Sequence, residues 1–280
     1  MNFDYQLLQV DKIGALANVT IDNPPVNVIT GQLFAELAAV FDELDRDPSL
    51  AVVVMKSANP DFFLAHFDVE ILLQLCEGEA GSILGTLQDY QSMLRCIREM
   101  DKVVIGQIEG RAGGGGAELA MHFDMRFGVK GKTRFNQMEV PLGILPGGSG
   151  TQMLPRLVGH ARAMEVIMGA DDIDAATAES WGLLNRALEA KDIDDWVQRL
   201  ALRIAQWPLD AIRKTKQSIN NATLPLAEGL ALEGQLFTDL LLAESAAEQM
   251  SKFMRSGGQT PEGELRIAEL SAQISSNTDT

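Results

Sequence analysis

Two cysteines and three histidines are all that 280 residues offer in soft or imidazole ligands. Cys76 and Cys96 form neither a C-x-x-C motif nor a Cys/His pair. His66, His122 and His160 are scattered without metal-ligand spacing. A disulfide framework and a structural metal are therefore not expected. Both cysteines fall in apolar helical patterns, where a reduced thiol packs as a small hydrophobe, so both are expected to be buried. Also lacking is any unbroken run of about 18 to 20 apolar residues, and "MNFDYQLLQVDK" carries no basic stretch ahead of an apolar one. No membrane span is expected, and the cytoplasm is the expected location. Basic charge is short: 23 Lys and Arg stand against 39 Asp and Glu, for a net charge of −16. Nucleic acid, which demands a basic face, is not an expected partner. A small anionic ligand remains compatible, because backbone amides hold anions whatever the global charge.

What is present is apolar bulk. At 46% apolar residues, a chain of this length buries roughly 70–75% of its unfolded surface, enough for one main domain and an appendage. The first twenty residues read as two strands about a turn at Asp11 and Lys12. "DNPPVNVIT" interrupts them, and helical spacing follows over 31–45, with Thr30 as N-cap. "AVVVMKS" reads as a buried strand, 82–100 as a second helix, and "KVVIGQIEG" as another buried strand. Strands apolar throughout and alternating with helices indicate an α/β fold with strands covered on both faces. Beyond Ala161 the texture is helical. Trp196, Leu200 and Ile204 form one apolar stripe, and Leu226, Leu230, Phe237 and Leu241 another, each expected in a core or a subunit interface. "GGQTPEGE" should break the last helices, and "SSNTDT" should fray.

The stretch "GRAGGGGAELA", 110–120, puts four glycines in a row ahead of a helix that carries a glutamate one turn in. Three readings compete. A dinucleotide fingerprint fails on spacing, since counting G-x-G-x-x-G from Gly113 puts Glu118 at the third glycine. A packing turn, with Glu118 favoured by the helix dipole, is one survivor. The other is a pocket of backbone amides that stabilises negative charge on a substrate oxygen while Glu118 moves or orients a proton.

In order along the chain come "NPPVNVIT", "DFFLAHFDVE", "IEGRAGGGGAELAMHFDMRF", "RFNQMEVPLGILPGGSGTQMLPRLVG", "AMEVIMGADDIDAATAESWGLLNRAL" and "PLAEGLALEGQLF". Their sequence and spacing resemble the enoyl-CoA hydratase/isomerase family, the crotonase superfamily, over nearly the whole chain. The resemblance implies an α/β spiral of ββα turns over residues 1–200 that binds acyl-CoA. A helical C-terminal trimerisation region with a flexible tail would occupy residues 201–280, and the assembly would be a homotrimer or a dimer of trimers. It implies an acyl-CoA thioester as substrate, with no cofactor beyond the coenzyme A that the substrate carries. The backbone amides of Phe67 and Gly115 match an oxyanion hole, and Ala65, Phe67, Asp68, Val69, Glu70, Gly114 and Gly115 match the substrate-binding segments. Glu118 and Glu139 match the catalytic pair that holds and activates water, with Glu139 the main proton carrier and Glu118 orienting the water.

Addition of water across the double bond of a trans-2-enoyl-CoA is the activity so implied. Double-bond isomerisation, another crotonase-type reaction or a non-catalytic acyl-CoA-binding subunit are the alternatives. His66 and Phe67 stand where the family commonly has a glycine and a small residue, Arg111 where an aromatic residue is frequent, and Gly113 where a larger apolar one is. The segment "GVKGKTR" reads as carrying a one-residue insertion. Asp68 is expected to cap a helix, His66 to line the pocket wall, and "LPGGSG" to be a turn supporting the Glu139 segment.

Overall fold

The computed structural model describes residues 5–78 and 80–276. Its chain divides into two compact units, one ending at Ala201 and one beginning at Leu202. The first unit opens with strands β1 (Leu8–Ile13) and β2 (Leu16–Ile21), an antiparallel hairpin. The turn is not at Asp11 and Lys12, which lie inside β1. It falls at Gly14 and Ala15, where Gly14 has φ +59°, the conformation that a two-residue hairpin loop requires. The polar pair misled because β1 is an edge strand, and exposed edges carry charge.

Thr30 caps α1 (Gly31–Arg46), its hydroxyl accepting the Leu33 N–H at 3.2 Å, and Leu33, Leu37, Val40, Phe41 and Leu44 are buried. The chain then lays strands alternately into two sheets. Strands β3 (Val52–Ser57) and β4 (Phe62–Leu64) precede α2 (Val69–Glu77) and α3 (Ala80–Glu99). Strands β5 (Val103–Ile108) and β6 (Arg111–Gly113) precede α4 (Gly114–Met121). Strands β7 (Met125–Val129) and β8 (Arg134–Asn136) precede a 3-10 turn, Val140–Leu142, and α5 (Gly150–Val158). The helix α6 (His160–Gly169), strand β9 (Ile173–Asp174), α7 (Ala175–Trp181), β10 (Arg186–Leu188) and α8 (Ile193–Ile204) follow.

The large sheet runs β1-β2-β3-β5-β7-β10, parallel from β2 onward, and the small sheet β4-β6-β8-β9 is parallel through β8. This is the ββα repeat. The short second strand of each turn, three residues long in β4, β6 and β8, offers no periodicity to read, so the residues alone suggested only apolar strands alternating with helices. Parallel register places the carboxyl ends of β4, β6 and β8 side by side, the end of an α/β sheet at which ligands bind.

Two packing expectations change. Cys76 is exposed on α2, which buries none of its residues fully, and Cys96 on α3 is only half-buried. On α8 the buried row is Ile193, Val197 and Ala201, one position round from the stripe expected at Trp196, Leu200 and Ile204, which are half-buried. The Trp196 ring lies under the Arg186 and Arg199 guanidiniums, 4.9 and 5.7 Å from its centroid, where the cations are drawn to its face.

The second unit is helical: α9 (Leu209–Asn220), α10 (Leu226–Leu241), α11 (Glu244–Arg255), α12 (Pro261–Leu265) and α13 (Ile267–Ser276). On α10 only Leu236 is buried, and Leu226, Leu230, Phe237 and Leu241 are all exposed, so that stripe is not core of this chain. The expected break falls at 256–260, after which Thr260 caps α12 through the Gly263 N–H. Of the segment expected to fray, Ser275 and Ser276 end α13 and residues 277–280 lie outside the described residues. No helix among the described residues is long and apolar enough to cross a membrane.

Candidate active site

The segment after β4 is held by the proline-containing stretch before α1. Asn27, fully buried and at φ 54°, donates from Nδ2 to the Ser57 hydroxyl at 2.7 Å and to the Phe62 and Phe63 carbonyls at 3.1 Å. Its carbonyl accepts the Ala65 N–H at 3.2 Å, and Ile29 bonds the His66 carbonyl at 2.9 Å and the Asp68 N–H at 3.1 Å. This is a parallel bridge between Ile29 and Phe67. In such a bridge the flanking groups of residues 66 and 68 are engaged and the N–H and C=O of residue 67 point to the other side. That other side is α4: a Cβ placed on Gly115 would stand 3.5 Å from the Phe67 nitrogen and 3.3 Å from its Cβ.

Each glycine of the run has a separate physical reason. A Cβ on Gly113 would come within 2.4 Å of the Ala65 carbonyl oxygen, and one on Gly116 within 2.4 Å of that of Leu64, so any larger residue would push β4 away. Gly114 has φ +45°, and a Cβ there would lie 2.9 Å from Glu139 Oε1 and 3.4 Å from His66 Cβ. Gly115 is the second residue of α4, where a backbone N–H has no acceptor within the helix. Its carbonyl accepts a 2.6 Å hydrogen bond from the Tyr90 hydroxyl.

Tyr90 lies on α3, and helical spacing alone marks such a position as apolar and does not reveal the work of its hydroxyl. It is buried, and its ring stands edge-on to Phe67 and Phe34, with centroids 5.5 and 5.7 Å away.

Glu118 is 3% exposed on a helix whose residues are all buried. Its Oε1 accepts the Gly150 N–H at 2.6 Å. A Cβ on Gly148 would fall 2.5 Å from Oε2 and 2.6 Å from the Tyr90 ring. Burial pushes the Glu118 carboxyl up to about 7, opposed by the Gly150 backbone, reinforced by the charge of Glu139, and opposed again by the Gly148 backbone. The "LPGGSG" turn therefore braces Glu118, and it also stands against the segment that leads to Glu139, since a Cβ on Gly150 would lie 2.8 Å from Gln137 Oε1.

Glu139, immediately ahead of the 3-10 turn, is 8% exposed. Burial raises its carboxyl too, with its own backbone and the charge of His66 pulling the other way. Its Oε2 is buried without a hydrogen-bond partner among the described residues. His66 turns its Nδ1 to the Phe67 carbonyl, 2.9 Å away.

The structure thus brings Ala65, Phe67, Gly114, Gly115, Glu118 and Glu139 together. Asp68 instead caps α2, accepting the Glu70 N–H at 2.9 Å. Val69 is half-buried and Glu70 exposed at the start of that helix. Among the described residues, no hydrogen bond or ion pair joins these three to either carboxylate. Two inward backbone N–H groups beside two buried carboxyls of raised pKa can stabilise a developing oxyanion and pass a proton near neutral pH.

The family model for enoyl-CoA hydratase/isomerase matches residues 11–259. A short-chain-enoyl-CoA hydratase of Clostridium acetobutylicum is 31% identical over 249 residues, covering 88% of this chain and 93% of that protein. A crotonyl-CoA hydratase of Syntrophomonas wolfei is 30% identical over 252 residues, covering 89% and 95%. Among solved structures, an enoyl-CoA hydratase of Geobacillus kaustophilus superposes with a TM-score of 0.85 at 28% identity, over 90% of this chain and 95% of that one.

Proposed function

The chain belongs to the enoyl-CoA hydratase/isomerase family, and from that premise we propose that it adds water across the double bond of a trans-2-enoyl-CoA thioester. One observation carries the choice of reaction: two carboxyls, not one, are buried close enough together that the charge of Glu139 raises Glu118 and both act on the Tyr90 hydroxyl. Moving a double bond needs a single group to shuttle one proton, whereas hydration must hold a water, take its proton and deliver a proton to the α-carbon.

The Phe67 and Gly115 N–H groups bind the thioester oxygen. Each such donor contributes about 3 kcal/mol when aimed at the enolate oxygen in a dry site. Glu118, braced through Oε1 by Gly150, is the fixed member of the pair and orients the attacking water. Glu139, with Oε2 unpartnered among the described residues, is the member free to exchange a proton and carries it to the α-carbon. One proton is taken from the water and one is delivered to the α-carbon, so the hydroxide equivalent goes to the β-carbon with no net change on the enzyme. Ala65 and Gly114 line the approach, and Asp68, Val69 and Glu70 flank it at the head of α2. Coenzyme A, as part of the substrate, is the only cofactor the chemistry requires. The exposed apolar row on α10 is consistent with burial between copies in a homotrimer or a dimer of trimers.

The test is the loss of conjugated enoyl-thioester absorbance with trans-2-enoyl-CoA esters of short and long chain. Glu118→Gln and Glu139→Gln should each lower turnover by at least ~10²-fold with the fold intact. Binding of CoA esters without turnover at any chain length, or conversion of a 3-enoyl ester to its conjugated isomer without hydration, would replace the reading. An active double variant would refute it.

A further inference from the structure

Three oddities meet on the turn that braces Glu118. Ser149 is a non-glycine residue at φ 87° and ψ 3°, a left-handed conformation that an L side chain resists. It occupies the N-cap of α5, a position where a serine hydroxyl normally accepts a helix N–H, yet it makes no such bond. Its Oγ instead lies 2.7 Å from His122 Nε2. His122 is itself unusual: 7% exposed, at the C-cap of α4, with Nδ1 buried and without a hydrogen-bond partner among the described residues. Burial first, then the charges of Arg98 on α3 and Arg126 on β7, hold it neutral, with its pKa down at about 4.

Residues 118 and 122 are four apart on α4, hence on one face of the helix. That face grips the 148–150 turn at two points: Glu118 accepts the Gly150 N–H at 2.6 Å, and His122 Nε2 shares a hydrogen bond with the Ser149 Oγ at 2.7 Å. Between them the turn cannot rotate Ser149 out of the left-handed region without breaking one bond or the other.

We propose that His122 and Ser149 form a latch that holds the 148–150 turn in the conformation from which its backbone N–H groups reach the Glu118 carboxylate. Both residues act through the turn that holds Glu118, so both are positioning residues. The inference rests on the reading of Glu118 as an acid–base group. It also explains why a serine sits where glycine would be unstrained: glycine would supply the conformation and not the tether.

The latch is tested with His122→Ala, Ser149→Ala and Ser149→Gly, each checked for folding by circular dichroism. With the braces loosened, the Glu118 carboxylate loses hydrogen-bond stabilisation, while the groups facing it, Glu139 and Tyr90, are unchanged. Its titration midpoint, followed by carbon NMR of labelled glutamate and assigned by the signal lost in Glu118→Gln, should rise by about one unit in both alanine variants. The acid limb of the pH–kcat profile should rise with it, kcat should fall by about tenfold, and KM should stay within about twofold. Ser149→Gly, free to take φ above zero, should be impaired less than Ser149→Ala, and His122→Gln should restore part of the loss. If His122→Ala fails to fold, Ser149→Ala carries the comparison. An unmoved Glu118 midpoint and an unmoved pH profile in the folded variants would overturn the latch. A wild-type protein whose Glu118 midpoint responds to the latch variants but which hydrates no enoyl-CoA would leave the latch standing and sink the proposed function instead.

Discussion

A carboxyl held near 7 has a cost that a thermal melt can register. Glu118, pushed up to about 7 mainly by burial, binds its proton more tightly folded than unfolded. Its favourable contribution to stability is therefore complete below the ordinary glutamate range and disappears as pH rises through about 7. Above that, the folded state holds a buried charge. Glu118→Gln, which keeps an acceptor for the Gly150 N–H, should stabilise the protein by about 1 kcal/mol at pH 8 and by much less at pH 5, read as a shift in Tm between the two buffers. A stabilisation that is equal at both pH values would mean that the carboxyl is not titrating in this window. The same residues show how far sequence reaches. Thr30 and Asp68 were legible as caps because a cap acts within three residues of itself. Gly113 was not, because what forbids a side chain there is the Ala65 carbonyl, which only the pairing of β4 with β6 brings close. Glu118 kept two readings, packing turn or amide pocket, and Glu139 had none until the family resemblance paired them, since nothing local marks a glutamate as buried.

At the level of elements, α3 and α4 are tied at the glycine turn by one hydroxyl. Tyr90 donates to the Gly115 carbonyl at 2.6 Å while its ring packs against Phe67 and Phe34. It thus touches both segments that supply the proposed amide donors. Tyr90→Phe leaves the packing and strands a buried carbonyl, a loss of about 1–3 kcal/mol. Turnover of an enoyl-CoA substrate should fall several-fold, with Tm lowered by a few degrees; full activity would show that the turn holds its shape without that bond. The helices themselves were readable where apolar spacing is strong, as on α1. The stripe on α8 was misplaced by one position because Trp196 weighs heavily as a hydrophobe, although in the fold it is the half-buried rim covered by Arg186 and Arg199. The three-residue strands of the small sheet were beyond periodicity altogether, and they are the elements that carry the site.

For the whole molecule, the apolar row of α10 is the feature to account for. Phe237 is 63% exposed and Leu226 77% exposed, on a chain whose charge of −16 otherwise keeps copies apart. Burying one such side chain contributes about 2 kcal/mol, so a row of four in each copy is ample for assembly. Sedimentation velocity should give a trimer or a doubled trimer, and Phe237→Asp should shift the distribution to smaller species. A monomeric wild type would contradict the assembly proposed above.

The small sheet also works as a gauge. Its parallel register, Phe62 to Arg111 and Arg111 to Arg134, fixes where β4, β6 and β8 end, and each strand end delivers one component: the Phe67 amide, the Gly115 amide with Glu118, and Glu139. The chain between β7 and β8 bulges through Gly131 at φ +72° and is closed by Thr133, whose hydroxyl bonds the Ile108 carbonyl and the Val129 N–H. An added residue there alters the count between the two glutamates and leaves their separation in space to the sheet. Sequence distance between the working groups is thereby decoupled from their geometry, and loop length becomes a free variable on which drift can act without disturbing the chemistry.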